Sequence, residues 1–487
     1  MFLGDVLIAH GLVGKEDVDA ALLRQTRHGG RLGDNLVALG RLTQAQLDAA
    51  LHAVPSAPRS LEETGIDLQS LLDLQAKAMY TGACDTASKL YDVLRLPVRL
   101  TQQLLREAEQ RQLVESAGLA TGGGAGEIRY TLTAKGRQWA DNAFEQNSYV
   151  GPAPVPLEDY VRRIERQAIA RERITPAEVR KALDGLIMAD RLIAQIGPAI
   201  NSGHSMLLYG PPGNGKSSVA ERIGRIFAGI IYVPHCFEVA GQIVKVLDPS
   251  IHRAVTIEEE KASRGPSILR EEYDRRWVPC HRPFIITGGE LTLEMLDLSF
   301  NPLAKFYEAP LHVKALNGIF LIDDFGRQIV SPEALLNRWI VPLASRIDYL
   351  KLHTGKSFAL PFDELVIFST NLAPSQLMDP AFLRRIPYKI EVGAPCKQTY
   401  RDIFRLVGAK RGIATPEEVV DAIITELTER NDFPLAAYQP GFIVDQVQSA
   451  CKYIGREPAL TPDLVEMAIA NLYTKDSPGY GMVRSAR

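Results

Sequence analysis

Hydrophobic and polar positions change their rhythm several times along the chain, and each rhythm predicts a different kind of structure. Residues 2–25 and 31–54 carry the same order of apolar, polar and glycine positions, 29 residues apart. Each unit predicts a short helix, a glycine break and a second amphipathic helix. Because one such unit buries little apolar surface alone, we expect the two to pack as a helical pair in residues 1–54.

The next part of the chain predicts helices followed by a β-hairpin. Residues 55–66 contain Pro, Ser and small residues and are expected to form a linker. Residues 67–147 then show three helical patterns, two strand patterns around a glycine-rich tip, and a last helix from Thr133. This order is typical of a winged-helix domain, and the string at 130–137 resembles the strand-to-helix ending of such domains.

The second half of the chain predicts an α/β fold. Short, continuous apolar runs end at Tyr209, Ile322 and Phe368, and helical patterns lie between them. Runs without alternation suit strands of a parallel sheet that is buried on both faces. The expected order is a linker and helix at 148–174, an α/β core at 175–395 and a helical lid at 396–487.

Composition narrows the class of protein. The 487 residues leave room for three or four domains, and a net charge of −3 gives no basic surplus of the kind seen in proteins that coat nucleic acid. The five cysteines form no CxxC pair, which indicates a reducing, cytoplasmic location. With no run of 18 apolar residues and no basic leader, we expect neither membrane insertion nor a signal peptide.

A phosphate-binding loop is the clearest chemical motif. The string GPPGNGKS at 210–217 follows an apolar strand pattern and precedes a helical one, which is the context that a P-loop requires. Its glycines let backbone N–H groups face the phosphates, Lys216 neutralises them, and the Ser217 hydroxyl is a ligand for Mg²⁺. The predicted ATP-binding residues are Gly210, Pro211, Pro212, Gly213, Asn214, Gly215, Lys216, Ser217 and Ser218.

Two carboxylates follow the apolar run that ends at Ile322. Because open α/β sheets bind ligands at the carboxyl ends of their strands, Asp323 is expected to hold Mg²⁺ together with Ser217. Asp324 is expected to polarise the attacking water. In P-loop motifs of this kind the second carboxylate is usually a Glu. The shorter Asp324 predicts slow hydrolysis or a different path for the water.

The order of these motifs, with Asn371 after a strand and Arg384-Arg385 after a helix, resembles that of AAA+ ATPases over residues 175–487. The resemblance implies that Asn371 orients the water. It also implies that Arg384 and Arg385 complete the site of a neighbouring subunit in a homo-oligomer, a hexameric ring. Together with Asp324, these residues form the predicted catalytic set.

Two features differ from the simplest AAA+ pattern, the spacing of the motifs and the lid segment. Lys216 and Asp323 lie 107 residues apart, so an insertion is expected at 233–315. The aromatic pair Phe306-Tyr307 in that stretch suits core packing better than a pore loop. The segment 438–442 has no arginine where many relatives carry one that senses ATP from the lid.

The pattern L-G-x-x-[LV]-[IV]-x-x-G of the repeats resembles the MshEN domains, which bind cyclic-di-GMP in secretion and pilus ATPases. The two copies differ at their ends. The first position is Phe2 in the first copy and Arg31 in the second, and the last position is Gln25 in the first copy and Val54 in the second. A protein-docking module is the alternative. The resemblance implies a cyclic-di-GMP site formed by Leu3, Gly4, Leu7, Ile8, Gly11, Leu22, Gln25, Arg31, Leu32, Gly33, Leu36, Val37, Gly40, Leu47 and Leu51.

Together these patterns predict a ring-forming ATPase that uses ATP and Mg²⁺, remodels an unknown protein partner and is regulated by cyclic-di-GMP. One alternative is an ATP-dependent regulator that binds DNA through the winged helix. Residues 67–145 hold nine Lys or Arg against ten Asp or Glu, which disfavours it. A second alternative, motivated by Asp324, is a nucleotide-switched scaffold that hydrolyses little.

Overall fold

The computed structural model describes residues 7–8, 12–28, 32–43, 54–82, 84–119, 127–227, 229–255, 273–377 and 380–472. The α-helices of these residues are α1 (Lys15–His28), α2 (Leu32–Ala38), α3 (Leu68–Thr81), α4 (Ala87–Leu94), α5 (Val98–Gln110), α6 (Ala134–Gln146), α7 (Leu157–Arg166), α8 (Pro176–Ala182), α9 (Asp190–Ser202), α10 (Lys216–Gly224), α11 (Leu311–Lys314), α12 (Pro332–Arg338), α13 (Ile340–Ser345), α14 (Pro374–Leu377), α15 (Pro380–Leu383), α16 (Lys397–Arg411), α17 (Glu417–Thr425), α18 (Gln439–Ile454) and α19 (Pro462–Ala470).

The strands of the same residues form two five-stranded sheets and three two-stranded ones. They are β1 (Val114–Leu119), β2 (Ile128–Leu132), β3 (Val155–Pro156), β4 (Met206–Tyr209), β5 (Ile230–Pro234), β6 (Cys236–Val239), β7 (Gln242–Lys245), β8 (Trp277–His281), β9 (Phe284–Thr287), β10 (Ser299–Asn301), β11 (Phe306–Glu308), β12 (Ile319–Ile322), β13 (Ile347–Lys351), β14 (Ser357–Pro361), β15 (Leu365–Thr370) and β16 (Tyr388–Glu391).

The core sheet has the strand order β16-β4-β15-β12-β9, and all of its strand pairs are parallel. Every residue of β12 and β15 is buried, which explains why these strands read as unbroken apolar runs. Ile200 of α9 and Val219 of α10 pack in the apolar cluster on one face of the sheet. Trp339 packs on Phe320 in the cluster on the other face. The expected α/β core with a parallel sheet is therefore confirmed.

The chain leaves this core before β9, before β12 and before β15, where it forms the β13–β14 hairpin. Between α10 and β9 it forms β5 to β8, and between β9 and β12 it forms the β10–β11 hairpin. The second five-stranded sheet, β10-β11-β7-β6-β3, joins strands of the first two of these excursions to the strand that precedes α7. Tyr307 of β11 is fully buried against Phe300, so the aromatic pair at 306–307 belongs to a core, as the sequence indicated.

The middle part of the chain consists of α3, α4, α5, the antiparallel β1–β2 pair and α6, in the order that the pattern predicted. Side-chain caps define where its helices begin. Asp67 accepts from the backbone N–H of Ser70, Thr86 from that of Lys89, and Thr133 from that of Gly136. Its assignment as a winged helix stays a prediction.

The segment expected to be a linker at 55–66 is tied to the residues that directly precede β8 and β3. The Arg276 guanidinium, 3% exposed, pairs with Asp274 and donates to the backbone oxygens of Thr64 at 2.8 Å and Pro154 at 3.1 Å. Burying a charge is costly unless such partners satisfy it. The segment 55–66 is therefore held to the α/β part of the chain by specific contacts as well as by the polypeptide itself.

Helices occupy the two ends of the described chain. Near the start, α1 and α2 share a small core that includes Leu7, Val18 and Leu36. Near the end, α16 to α19 pack around Tyr400 and Phe404. Within the described residues, no helix combines the length and the apolar character needed to cross a membrane.

Candidate nucleotide site

Three predicted site segments converge because their strands are neighbours in the core sheet. The P-loop follows β4, Asp323 follows β12, and Asn371 follows β15, which lies between those two strands. In a parallel sheet all carboxyl ends lie at one edge. The structure therefore brings the P-loop, the two carboxylates and Asn371 together.

Glycines are required by the backbone of the P-loop. Gly210, Gly213 and Gly215 have φ angles of +140°, +76° and +85°, which other residues adopt at a cost. A Cβ at Gly210 would also lie 2.4 Å from the backbone oxygen of Val392. The helix α10 begins directly after the loop, so its unpaired N–H groups and its positive dipole end face the phosphate position.

The Lys216 amine lies inside the loop. Its Nζ donates to the backbone oxygens of Gly210 and Pro211, each at 2.9 Å, and to Oδ1 of Asn371 at 2.6 Å. Burial lowers the pKa of Lys216, while the carboxylates of Asp323 and Asp324 oppose that shift. The amine is therefore held beside the phosphate-binding backbone with both acidic residues near it.

Ser217 and Asp323 face each other. The Ser217 hydroxyl donates to Oδ2 of Asp323 at 2.8 Å. The backbone of Asp323 is fixed on both sides, since its N–H donates to the oxygen of Thr287 and its oxygen accepts from Gln328. A hydroxyl and a carboxylate are the oxygen ligands that Mg²⁺ uses beside a phosphate, so these residues fit the expected metal.

Asp324 is exposed and has a left-handed backbone, with φ at +49°. This conformation is uncommon for a residue other than glycine, and Asp tolerates it better than most. Its Oδ1 accepts from Nδ2 of Asn371 at 3.0 Å. Asn371 therefore bridges the Lys216 amine and the Asp324 carboxylate, a contact that the motif order did not reveal.

A cleft of 620 Å³ lies beside the P-loop. It is open to solvent, and its lining mixes apolar side chains with polar groups, as in sites for flat organic ligands. The core and the lid both contribute to its walls. Lining residues include Ile187, Tyr209, Asn214, Val392, Thr399 and Ala437.

The lid contacts the P-loop directly, which sequence reasoning missed. The Ala437 N–H donates to Oδ1 of Asn214 at 3.0 Å, and the Tyr438 N–H donates to the oxygen of Gly213 at 2.9 Å. Sequence reasoning noted only that the segment lacks an arginine.

Sequence reasoning also missed the core strand β9, whose apolar run FIIT falls within the expected insertion.

Arg384 and Arg385 lie apart from this site. They follow α15 and precede β16, and the Ser205 hydroxyl donates to the backbone oxygen of Arg385 at 3.4 Å. Ser205 comes just before β4, so both arginines lie at the amino edge of the sheet. The P-loop lies at the opposite, carboxyl edge.

The predicted cyclic-di-GMP residues divide into three groups. Leu7, Gly33 and Leu36 are buried in the N-terminal unit, so they serve its packing. Leu22, Gln25, Leu32 and Val37 are partly exposed, while Ile8 and Gly40 are exposed. Arg24, beside them, donates to the buried Asn35 at 2.8 Å. Outside the described residues lie Leu3, Gly4, Gly11, Arg31, Leu47 and Leu51.

Two family models match parts of the chain. Residues 174–246 match the family described as magnesium chelatase, subunit ChlI, and residues 396–471 match a domain of unknown function, DUF8689. The first match begins before α8 and includes the whole P-loop. The second coincides with the lid helices. No curated protein is significantly similar to the chain.

Solved structures give only remote likenesses. The RuvB Holliday junction branch migration motor of Thermotoga maritima is 14% identical, with a TM-score of 0.32 over 62% of this chain and 73% of that one. NtrX from Brucella abortus in complex with ADP is 13% identical, with a TM-score of 0.35 over 60% of this chain and 58% of that one. At these values neither likeness decides the function.

The parallel sheet, the glycine-bent loop and the paired residues at its carboxyl edge occur in a segment that the magnesium chelatase subunit model matches in part. The core of this chain therefore carries a P-loop at the carboxyl edge of a parallel sheet, and its residues 174–246 are similar to the magnesium chelatase subunit ChlI.

Proposed function

We propose that this chain is an ATP-hydrolysing AAA+ ATPase that assembles into a homo-oligomeric ring and remodels a protein partner. The observation that carries the proposal is the chain of contacts through Asn371, which joins the Lys216 amine to the Asp324 carboxylate. A nucleotide-binding cation and a candidate base held by one amide are arranged for phosphoryl transfer to water.

Each residue of the site has a role that follows from its position. The P-loop N–H groups and the Lys216 amine bind the phosphates. On binding, the amine gives up its hydrogen bonds to the backbone oxygens of Gly210 and Pro211 and donates to phosphate oxygens instead. Ser217 and Asp323 hold Mg²⁺, which when bound neutralises phosphate charge. Asp324 orients a water and accepts its proton, while Asn371 fixes the direction of the carboxylate. The cleft beside the loop takes the base and the sugar.

The direct test is phosphate release from ATP by the purified chain, with Lys216→Ala as the inactive variant. We expect a loss of at least about 100-fold, because the amine contacts the transferred group. Lys351→Ala, on the exposed face of the β13–β14 hairpin, is the matched control and keeps the native rate. A native chain that neither binds nor hydrolyses ATP would end the proposal.

Regulation by cyclic-di-GMP is the second part of the proposal. It is supported by the repeat pattern, by Arg27 on the exposed end of α1, and by the partly exposed Leu22, Leu32 and Val37. A dianionic ligand with flat bases needs both cations and apolar surface. Binding would favour one arrangement of the N-terminal unit relative to the ring.

Calorimetric titration of cyclic-di-GMP into the full chain, followed by ATPase rates with and without it, tests this part. Saturable binding at micromolar concentration or below is expected, with loss on Arg31→Ala. Arg41→Ala, which removes a cation that pairs with Asp17 nearby, should bind normally. Absence of binding in the native chain would leave the repeats as a protein-docking module.

A nucleotide-switched scaffold with slow hydrolysis is the second candidate function. It is favoured by Asp324, whose shorter side chain is already engaged by Asn371. In such a protein ATP would set the assembly state and turnover would matter little. Brisk native turnover would remove this candidate, while turnover unchanged by Asp324→Asn would support it.

A further inference from the structure

Two consecutive residues of the lid are bonded to two consecutive residues of the P-loop. Ala437 donates to the Asn214 side chain at 3.0 Å, and Tyr438 donates to the Gly213 backbone oxygen at 2.9 Å. Both donors immediately precede α18. These four residues are called the lid clasp below.

The Tyr438 ring completes the lid clasp by lying on Gly213. A Cβ at Gly213 would be 2.3 Å from Cδ1 and 2.9 Å from Cε1 of the ring, so only glycine leaves room for it. The ring is 44% exposed, so it is not part of the lid's apolar core. The ring therefore lies against a residue of the phosphate-binding turn.

The bond to the Gly213 oxygen determines where the next N–H points. A trans peptide is planar, and its C=O and N–H point in opposite directions. Because Tyr438 holds the Gly213 oxygen toward the lid, the N–H of Asn214 in the same peptide faces away from the lid. Backbone N–H groups of such a loop are the donors that a phosphate oxygen needs.

We propose that the lid clasp senses nucleotide in this chain, with Tyr438 as a positioning residue for the P-loop. This inference rests on the proposed ATP site. Tyr438 contacts the loop, and its side chain carries no positive charge with which to act on the reacting phosphate. Its contribution is pre-organisation of the ground state, which alters affinity and leaves the chemical step unchanged. Reciprocally, bound nucleotide stabilises the lid.

The test compares Tyr438→Ala with Tyr438→Phe. The Ala variant should raise KM for ATP and Kd for a fluorescent ADP about tenfold, with kcat within about twofold. The Phe variant keeps the ring and should stay within about twofold of native in all three. Tyr453→Ala, which removes a 91% exposed tyrosine from the same helix, is the matched control and should also behave as native.

Hydrogen exchange of residues 433–445 gives a second readout. A non-hydrolysable ATP analogue should slow exchange there in the native chain and in Tyr438→Phe, but not in Tyr438→Ala. Equal affinity and equal protection in native and Ala chains would overturn the inference while leaving the ATPase proposal intact. A fall in kcat at unchanged KM would also overturn it. A native chain that binds no nucleotide would overturn both.

Discussion

Glu364 carries a carboxyl group that the protein encloses. It directly precedes β15 and is fully buried, and neither of its carboxylate oxygens has a hydrogen-bond partner among the described residues. Burial raises its pKa well above the usual range, with Asp363 adding to the shift and Arg346 opposing it. The native state therefore holds a proton that the unfolded chain releases above about pH 4.5.

The sign of the pH dependence follows from this difference. As pH rises above about 4.5, the unfolded state loses the proton and the native state keeps it, so the free energy of unfolding falls. Glu364→Gln, which carries no titrating proton, should be more stable than native by about 1–3 kcal/mol at pH 8 and nearly equal at pH 5. Thermal unfolding at both pH values measures this.

Glu145→Gln is the control for Glu364→Gln, because Glu145 is exposed and should leave the pH dependence unchanged. If the difference in melting temperature between Glu364→Gln and the native chain were the same at pH 5 and pH 8, Glu364 would not be the group that holds the buried proton. That result would indicate that the buried carboxyl has found a partner that satisfies its charged form.

Asp324 decides whether the site is a working ATPase. Asp324→Asn keeps the left-handed turn and an oxygen for Asn371 but cannot accept a proton. We expect kcat to fall about 100-fold while the Kd for ATP stays within about threefold. Rapid-quench turnover and nucleotide titration separate the two quantities. If turnover is the same with Asn, Asp324 is not the base.

At the scale of elements, strands buried on both faces were predictable and short paired strands were not. The strands β4, β12 and β15 are visible in the sequence as apolar runs, because helices cover both sides of the core sheet. By contrast, β7 and β11 have four and three residues and pair in parallel from distant parts of the chain. Nothing local in their sequence specifies that pairing.

The sequence predicted which residues lie together at the carboxyl edge of the core sheet, but it did not predict their contacts. Motif chemistry singled out Lys216 and Asp324, and the resemblance to AAA+ ATPases singled out Asn371. The bridge that Asn371 forms depends on a left-handed turn at Asp324, and the lid clasp depends on tertiary packing. Neither leaves a pattern in a single sequence.

Gly318 allows β9 and β12 to pair at their starts. The N–H of Ile319 donates to the oxygen of Pro283 at 2.9 Å, and a Cβ at Gly318 would lie 2.2 Å from that oxygen. Gly318→Ala should therefore cost about 2–4 kcal/mol, because backbone must move to relieve the clash. Chemical denaturation measures the loss.

The matched control for this prediction is Gly441→Ala in α18, where a Cβ meets nothing within 4 Å. It should be neutral or slightly stabilising, since alanine favours a helix over glycine. If Gly318→Ala were as stable as this control, β9 and β12 would not be held at the observed register.

At the scale of the whole molecule, the position of Arg384 and Arg385 requires a second subunit if they act in catalysis. Their backbone is held at Ser205, five residues before the P-loop begins. An extended strand of that length spans roughly 15 Å, and it leads from one edge of the sheet to the other. Arg384 is exposed, which leaves it available to a neighbour. An arginine finger from this chain would therefore serve the site of the next subunit.

This geometry predicts complementation between two inactive variants. Lys216→Ala chains keep both arginines, and Arg384→Ala/Arg385→Ala chains keep an intact P-loop. Each variant alone should hydrolyse ATP at least about 100-fold more slowly than native. Mixed before assembly in equal amounts, they should recover about a quarter of the native rate, because half of the sites keep Lys216 and half of the neighbours keep the arginines. Lys216→Ala mixed with the variant that carries all three substitutions should recover nothing. If the double arginine variant is active alone, or if the first mixture stays inactive although mixed rings form, the arginines do not act between subunits.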